Sequence, residues 1–185
     1  MPYKKRIWLP NRFYHVVGRG NRRDPLYRCY TDFQAFFHIL EQLHDKIPFD
    51  LASYCLMTNH YHLQIRSGEV PLSKIMSLIN KRYANYYNTR YRLTGHVFEK
   101  RFYDDLINEK EGMLEVSRYI HLNPVEARMV KKPESYPWSS FHLFKHRVIA
   151  QPKFMDVNHI LDFYIGSDEE KRWRYCESVD SRGRL

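Results

Sequence analysis

The stretch from Phe49 to Ile65, "FDLASYCLMTNHYHLQI", leaves this chain the least choice of fold. Residues 49–57 are almost continuously apolar, which suits a central strand covered on both faces. "TNH" is a short turn, and "HYHLQIR" reads as a second strand that pairs most simply with the first as a hairpin. Side chains alternate across a strand. His60, His62 and Gln64 therefore share one face, and Tyr61, Leu63 and Ile65 share the other. The apolar set belongs on the core, so the two imidazoles project together from the opposite side.

The flanking segments complete a pattern. "NRFYHVVGRGN" reads as a strand, Phe13 to Val17, ending at Gly18 and Gly20. In "TDFQAFFHILEQLHDK", Phe33, Phe36, Phe37, Leu40 and Leu43 recur at helical spacing, with Thr31 or Asp32 as cap. "PLSKIMSLINKRYANYYNTRYR" is a long amphipathic helix with Pro71 at its start and Gly95 beyond its end. "HVFEKRFYDDLI" holds strand-like residues. "EKEGMLEVSRYIHLNPVEARMV" reads as a helix stopped by Pro124, followed by a further turn. The aromatic "YPWSSFHLF" suggests a short irregular or helical segment, and the polar residues from about Ser167 read as a tail. The order β-α-β-β-α-β followed by helices predicts an α+β, ferredoxin-like split βαβ fold. One antiparallel sheet has helices packed on one face, and its other face is left as a working surface. Residues 1–150 hold these elements as the expected main domain, and residues 151–185 form a C-terminal extension or tail of unassigned role.

Composition narrows the function. Thirty Lys and Arg against 21 Asp and Glu give a net charge of +9, and 16% of residues are aromatic. Cations meet phosphates and flat rings stack on bases, so this balance points to nucleic acid; a basic but ordinary enzyme surface is the alternative. No run approaches the roughly 20 apolar residues of a membrane span, and the amino terminus lacks the apolar segment of a secretory signal. Three cysteines without C-x-x-C spacing argue against a disulfide framework or a cysteine zinc site, and fit a reducing cytoplasm.

At ordinary strand rise the roots of His60 and His62 stand about 6–7 Å apart, close enough to converge on one divalent cation. They also fit a pair of half-exposed strand histidines with no ligand. In "RYIHLNPVEARMV", Tyr119 and Asn123 lie one helical turn apart on a single face. Asn123 offers a carbonyl oxygen to a hard cation, and Tyr119 a phenolic nucleophile. A buried tyrosine followed by a helix-ending asparagine is the plainer reading of that pair.

"MTNHYHLQI", followed fifty to sixty residues later by "YIHLNPVEA", resembles the HUH-type single-tyrosine transposases. More narrowly, the chain is similar to the REP-associated tyrosine transposases of bacteria. "YHVVGRGNRRDPLY", "GHVFEKRFYD" and "YPWSSF" resemble that family in the same order, so the likeness spans roughly residues 8 to 145. It implies that His60 and His62 bind a divalent metal, Mg or Mn, and that Asn123 completes the site. It also implies that Tyr119 is the nucleophile of a covalent 5′-phosphotyrosine. The implied partner is single-stranded DNA with a hairpin beside a short guide sequence, handled by a monomer or homodimer.

Arg19, Arg22 and Arg23 fall in a glycine-containing loop suited to phosphates or guanine edges. Lys81, Arg82, Lys100 and Arg101 belong to a second basic run interleaved with aromatics, which as a group suits a nucleic-acid backbone. Tyr83, Tyr86 and Tyr87 lie mid-helix and read as core or stacking residues. Three other functions compete: a non-catalytic nucleic-acid-binding module on the same sheet, a metal-dependent hydrolase that uses water, and a relaxase-like replication initiator.

Overall fold

The computed structural model describes residues 7–182. Strand β1 (Phe13–Arg19) is followed by a 3-10 turn (Asn21–Arg23), helix α1 (Tyr30–His44), the hairpin β2 (Phe49–Leu56) and β3 (His60–Ser67), helix α2 (Leu72–Tyr91) and strand β4 (Tyr103–Leu106). Helix α3 (Glu109–Glu126), a second 3-10 turn (Pro133–Ser135), and α4 (Phe141–Lys145), α5 (Asn158–Leu161) and α6 (Asp168–Arg182) complete the chain. All pairings in the four-stranded sheet are antiparallel, in the order β2-β3-β1-β4. This is the α+β arrangement expected from the order of segments.

Helices α1 and α2 cover one face. Tyr61 of β3 packs on Phe36 of α1 and donates its hydroxyl to Asn80 of α2 at 2.7 Å. The Tyr61 ring lies across β1 at Gly18, where a Cβ would come within 2.3 Å of it, so only glycine fits. Tyr83 and Tyr87 are buried and donate their hydroxyls to the carbonyls of Leu26 and Pro25, as core-lining tyrosines should.

The histidine face is less open than expected. Helix α3 packs on the β2–β3 half of it, where Gln64, fully buried, donates to the carbonyl of Met113 at 3.1 Å. The β1–β4 half stays accessible, with Arg19, Tyr103 and Asp105 exposed.

Strand β2 is an edge strand, although it is buried on both faces as its apolar run suggested. The outer edge is closed by later segments. Leu51 N–H donates to Phe154 O at 2.7 Å and its carbonyl accepts from Asp156 N. Leu56 N–H donates to Trp138 O at 2.9 Å, and Ser140 N–H to Tyr54 O at 3.0 Å. Continuous hydrophobicity reports two covered faces; it does not report which neighbour supplies the ladder.

Three boundaries differ from the sequence reading. The cap of α1 is Cys29, with Asp32 at the third helical position accepting from the N–H groups of Arg28 and Cys29. Pro124 does not stop α3, which continues to Glu126. Proline cannot supply the N–H that the Ile120 carbonyl would take, but Leu122, Asn123 and Pro124 are all buried, and that packing holds the last turn in line. The polar stretch after Ser167 is not an irregular tail; it forms α6. Ser167 and Glu170 cap one another's backbone, a capping box, and Tyr175 and Val179, one turn apart, are fully buried. Among the described residues, no helix is long and apolar enough to cross a membrane.

Candidate active site

Antiparallel register builds the site. Arg19, Val17 and His15 of β1 stand opposite His60, His62 and Gln64 of β3, so all six side chains leave the same face. On the other side of β1, Tyr103 and Asp105 of β4 stand opposite Val17 and His15. Helix α3 then brings Tyr119 over this row. The Tyr119 ring centroid lies 5.6 Å from that of His62 and 5.9 Å from that of His15, both edge-on. The phenol is 42% exposed, whereas His62 is only 4% exposed. Because α3 runs unbroken through Pro124, Asn123 stays one turn beyond Tyr119, its amide donating to the Tyr119 carbonyl at 3.4 Å. The Asn123 side chain also faces His60. His60, His62, Tyr119 and Asn123, singled out in the sequence, are therefore brought together.

The hydrogen-bond partners orient both imidazoles. His62 Nδ1 lies 2.9 Å from His15 Nε2, and the two rings stack at 5.2 Å. His62 Nε2 is buried and has no hydrogen-bond partner among the described residues. His60 Nδ1 lies 2.8 Å from Asn59 Oδ1, an acceptor, so that nitrogen carries the proton and Nε2 keeps its lone pair. Burial, seconded by the charges of His60, His15 and Arg19, holds His62 well below the ordinary imidazole range. Burial and Arg19 lower His60 too, against the Asn123 side chain, and burial lowers His15 against the pull of Asp105. Neutral rings with an open nitrogen are the form in which histidine ligates metals. Two such nitrogens and an amide oxygen make a donor set that fits a divalent ion. Among the described residues, no group of three or more His, Cys, Asp or Glu is arranged to hold one, so Asn123 is the third candidate ligand.

A cleft of about 360 Å3 opens on this row, lined by His15, Arg19, His62, Lys100, Arg101, Tyr103 and Tyr119 among others. Three of the seven basic residues expected to meet nucleic acid, Arg19, Lys100 and Arg101, thus share the cleft with the phenol. Arg22 and Arg23 are exposed on the turn after β1, both at positive φ (53° and 65°). Asn59 ties that turn to the site: its Nδ2 donates to Arg23 O at 3.2 Å while its Oδ1 holds His60. Lys81 and Arg82 are not brought to the cleft. They stand on α2, in the layer beyond the opposite face of the sheet.

Sequence reasoning missed His15, Asn59 and Tyr103. Alternation within "FYHVV" puts His15 on one face of its strand, but only the pairing with β3, 47 residues away, shows that this is the face of His62.

The sequence profile of the family described as "Transposase IS200 like" matches residues 10–123, which includes both histidines, Tyr119 and Asn123. The chain belongs to this IS200-like transposase family. Family membership makes it a DNA-processing enzyme of the transposase class. The REP-associated tyrosine transposase of Escherichia coli K12 is 23% identical over 132 residues, 70% of this chain and 76% of that protein. A candidate REP-associated tyrosine transposase of Haemophilus influenzae is 22% identical over 142 residues, 70% of this chain and 78% of that protein. A solved REP-associated tyrosine transposase bound to a REP hairpin superposes with a TM-score of 0.67 at 21% identity, over 85% of this chain and 93% of that one. That likeness shows a common fold. The family indicated by "MTNHYHLQI" and "YIHLNPVEA" is thus the one found.

Proposed function

We propose that this transposase-family chain is a metal-dependent single-stranded DNA endonuclease and strand transferase, with Tyr119 as nucleophile. The observation that carries the reading is the pairing of an exposed phenol with a buried imidazole nitrogen: Tyr119 lies edge-on to His62, whose Nε2 has no hydrogen-bond partner among the described residues. A buried orphan nitrogen is costly unless something binds it. His60, His62 and Asn123 would hold the divalent ion, Mg or Mn. Such an ion would supply charge to a non-bridging oxygen of the scissile phosphate.

The protein groups divide the remaining work. Arg19, Lys100 and Arg101 bind the phosphate backbone along the cleft. Tyr119 Oη attacks phosphorus in line with the 3′-oxygen. The Oη–P bond forms and the P–O3′ bond breaks. The phenolic proton passes, through solvent, to the leaving 3′-oxygen. The products are a 5′-phosphotyrosine on the downstream strand and a free 3′-hydroxyl upstream. One phosphoester replaces another, so an incoming 3′-hydroxyl reverses the step and joins a new strand without a nucleotide cofactor. The net charge of +9 suits the substrate, and a hairpin beside the cut is supported by the hairpin-bound protein of the same fold.

The test uses a hairpin-bearing oligonucleotide labelled at its 3′ end, incubated with Mg2+ or Mn2+ and run on a denaturing gel. Wild-type protein is expected to carry the label as a covalent adduct, and Tyr119→Phe to form none. Cleavage without an adduct, retained in Tyr119→Phe, would assign attack to water and overturn this reading.

A further inference from the structure

The proposed cation site rests on His62 Nε2 presenting a lone pair. An imidazole has two nitrogens and, when neutral, one proton, so something must keep that proton on Nδ1. Strand register supplies a candidate from the neighbouring strand. His15 stands opposite Gln64, one step along the same face from His62. Its Nε2 is 2.9 Å from His62 Nδ1, with the rings within 21° of parallel.

Two lone pairs cannot bond each other, so one of these nitrogens donates. If His15 Nε2 donated, the His62 proton would sit on Nε2, a buried N–H with no acceptor among the described residues. If His62 Nδ1 donates, Nε2 is left as a lone pair, with the His60 ring 4.9 Å from that of His62, and a cation there satisfies it. The strand order favours the second arrangement. Strand β4 lies on the side of β1 away from β3, and there Asp105 stands opposite His15. A carboxylate on that side favours a proton on His15 Nδ1, which leaves His15 Nε2 as the acceptor. Asp105, His15 and His62 thus form a transverse row, one residue from each of three adjacent strands. Outer-shell partners of this kind fix ligand tautomers in metal sites.

We propose that His15 is a positioning residue: by accepting the His62 Nδ1 proton it fixes the tautomer that turns Nε2 toward the cation. This rests on the metal reading above, and two measurements separate them. Long-range 1H–15N spectra of the labelled, metal-free chain, with His62 assigned by its loss in His62→Gln, report which nitrogen carries the proton. Titration calorimetry with Mn2+ reports affinity. Wild type is expected to show the proton on Nδ1 of His62. His15→Leu is expected to weaken Mn2+ binding about 10–100-fold and to mix the two tautomers. His15→Gln places an amide oxygen near the position of Nε2 and is expected to return within a few-fold of wild type. A wild-type spectrum with the proton on Nε2, or wild-type affinity in His15→Leu, overturns the role of His15 alone. Wild-type protein that binds no Mn2+ overturns the metal reading and this proposal together. Should His15→Leu fail to fold, the wild-type spectrum and the glutamine variant still decide.

Discussion

Helix α3 carries two meetings of histidine with tyrosine, and they have opposite characters. His121, two residues past Tyr119, is fully buried, with Nδ1 2.6 Å from Tyr175 Oη and Nε2 2.8 Å from Ser140 Oγ. Tyr175 Oη also lies 2.6 Å from Ser117 Oγ, so every polar atom of this set has a partner. At the other meeting, His62 keeps one nitrogen unmatched beneath a phenol that faces solvent. The chemistry of the groups is the same. What differs is satisfaction: the closed set spends its hydrogen bonds on docking α6, and the open set holds capacity in reserve for something from outside.

Four experiments can break or sharpen this contrast. The largest effect is expected at His62→Leu. Adduct formation on hairpin DNA should fall on the order of 1,000-fold or more, as when a metal-held phosphate loses its charge partner. Stability of the metal-free protein should change by less than about 1 kcal/mol, since removing an unmatched buried nitrogen offsets the lost hydrogen bond to the half-buried His15. Large destabilisation in denaturant titrations would make His62 a structural residue. Next is Tyr175→Phe, which leaves Ser117 and His121 without their shared partner. Unfolding should cost about 2–4 kcal/mol less, seen as a Tm lower by roughly 5–15 °C, with adduct yield per folded molecule unchanged.

Third is acid sensitivity. Burial, with a smaller contribution from His142, depresses His121 to about 3 from the ordinary imidazole value near 6.5. A depressed value means the neutral form is favoured by folding. That stability is complete above about pH 6.5 and is lost progressively as pH falls from there toward about 3. Wild type should therefore lose up to about 1.4 kcal/mol per pH unit more than His121→Gln between pH 6 and 4, read from denaturant midpoints. Equal slopes would show that the closed set is not the acid-labile one. The smallest effect is at the cleft rim. Lys100→Ala should weaken single-stranded DNA binding several-fold and reduce the salt slope by about 0.7, one phosphate contact, whereas Lys81→Ala on α2 should leave both unchanged.

Local signals in the sequence carried most of the architecture. Alternation fixed which face of β3 held the histidines, and helical spacing placed Tyr119 with Asn123. These rest on short-range geometry that any register preserves. What escaped needed long-range pairing. The place of β2 at the sheet edge depends on contacts with residues 138–140 and 154–156, and no periodicity within β2 encodes them. His15 needed the β1–β3 register, and Tyr175 looked polar because α6 buries little beyond Tyr175 and Val179. The Ser167–Glu170 spacing is the local signal that could have marked the start of α6, and reading the stretch as a tail passed over it. Pro124 misled because its local cost is real, while the burial that offsets it is tertiary.

The closure of β2 bears on how the chain must be made. A ribosome releases residues 49–67 long before residues 154–156 exist, so the nascent hairpin waits with the Leu51 amide and carbonyl unclaimed. An apolar strand in that condition is a template for a second chain. Synthesis halted or proteolysis ahead of Phe154 would therefore be expected to yield intermolecular strand pairing and precipitation rather than a smaller working enzyme.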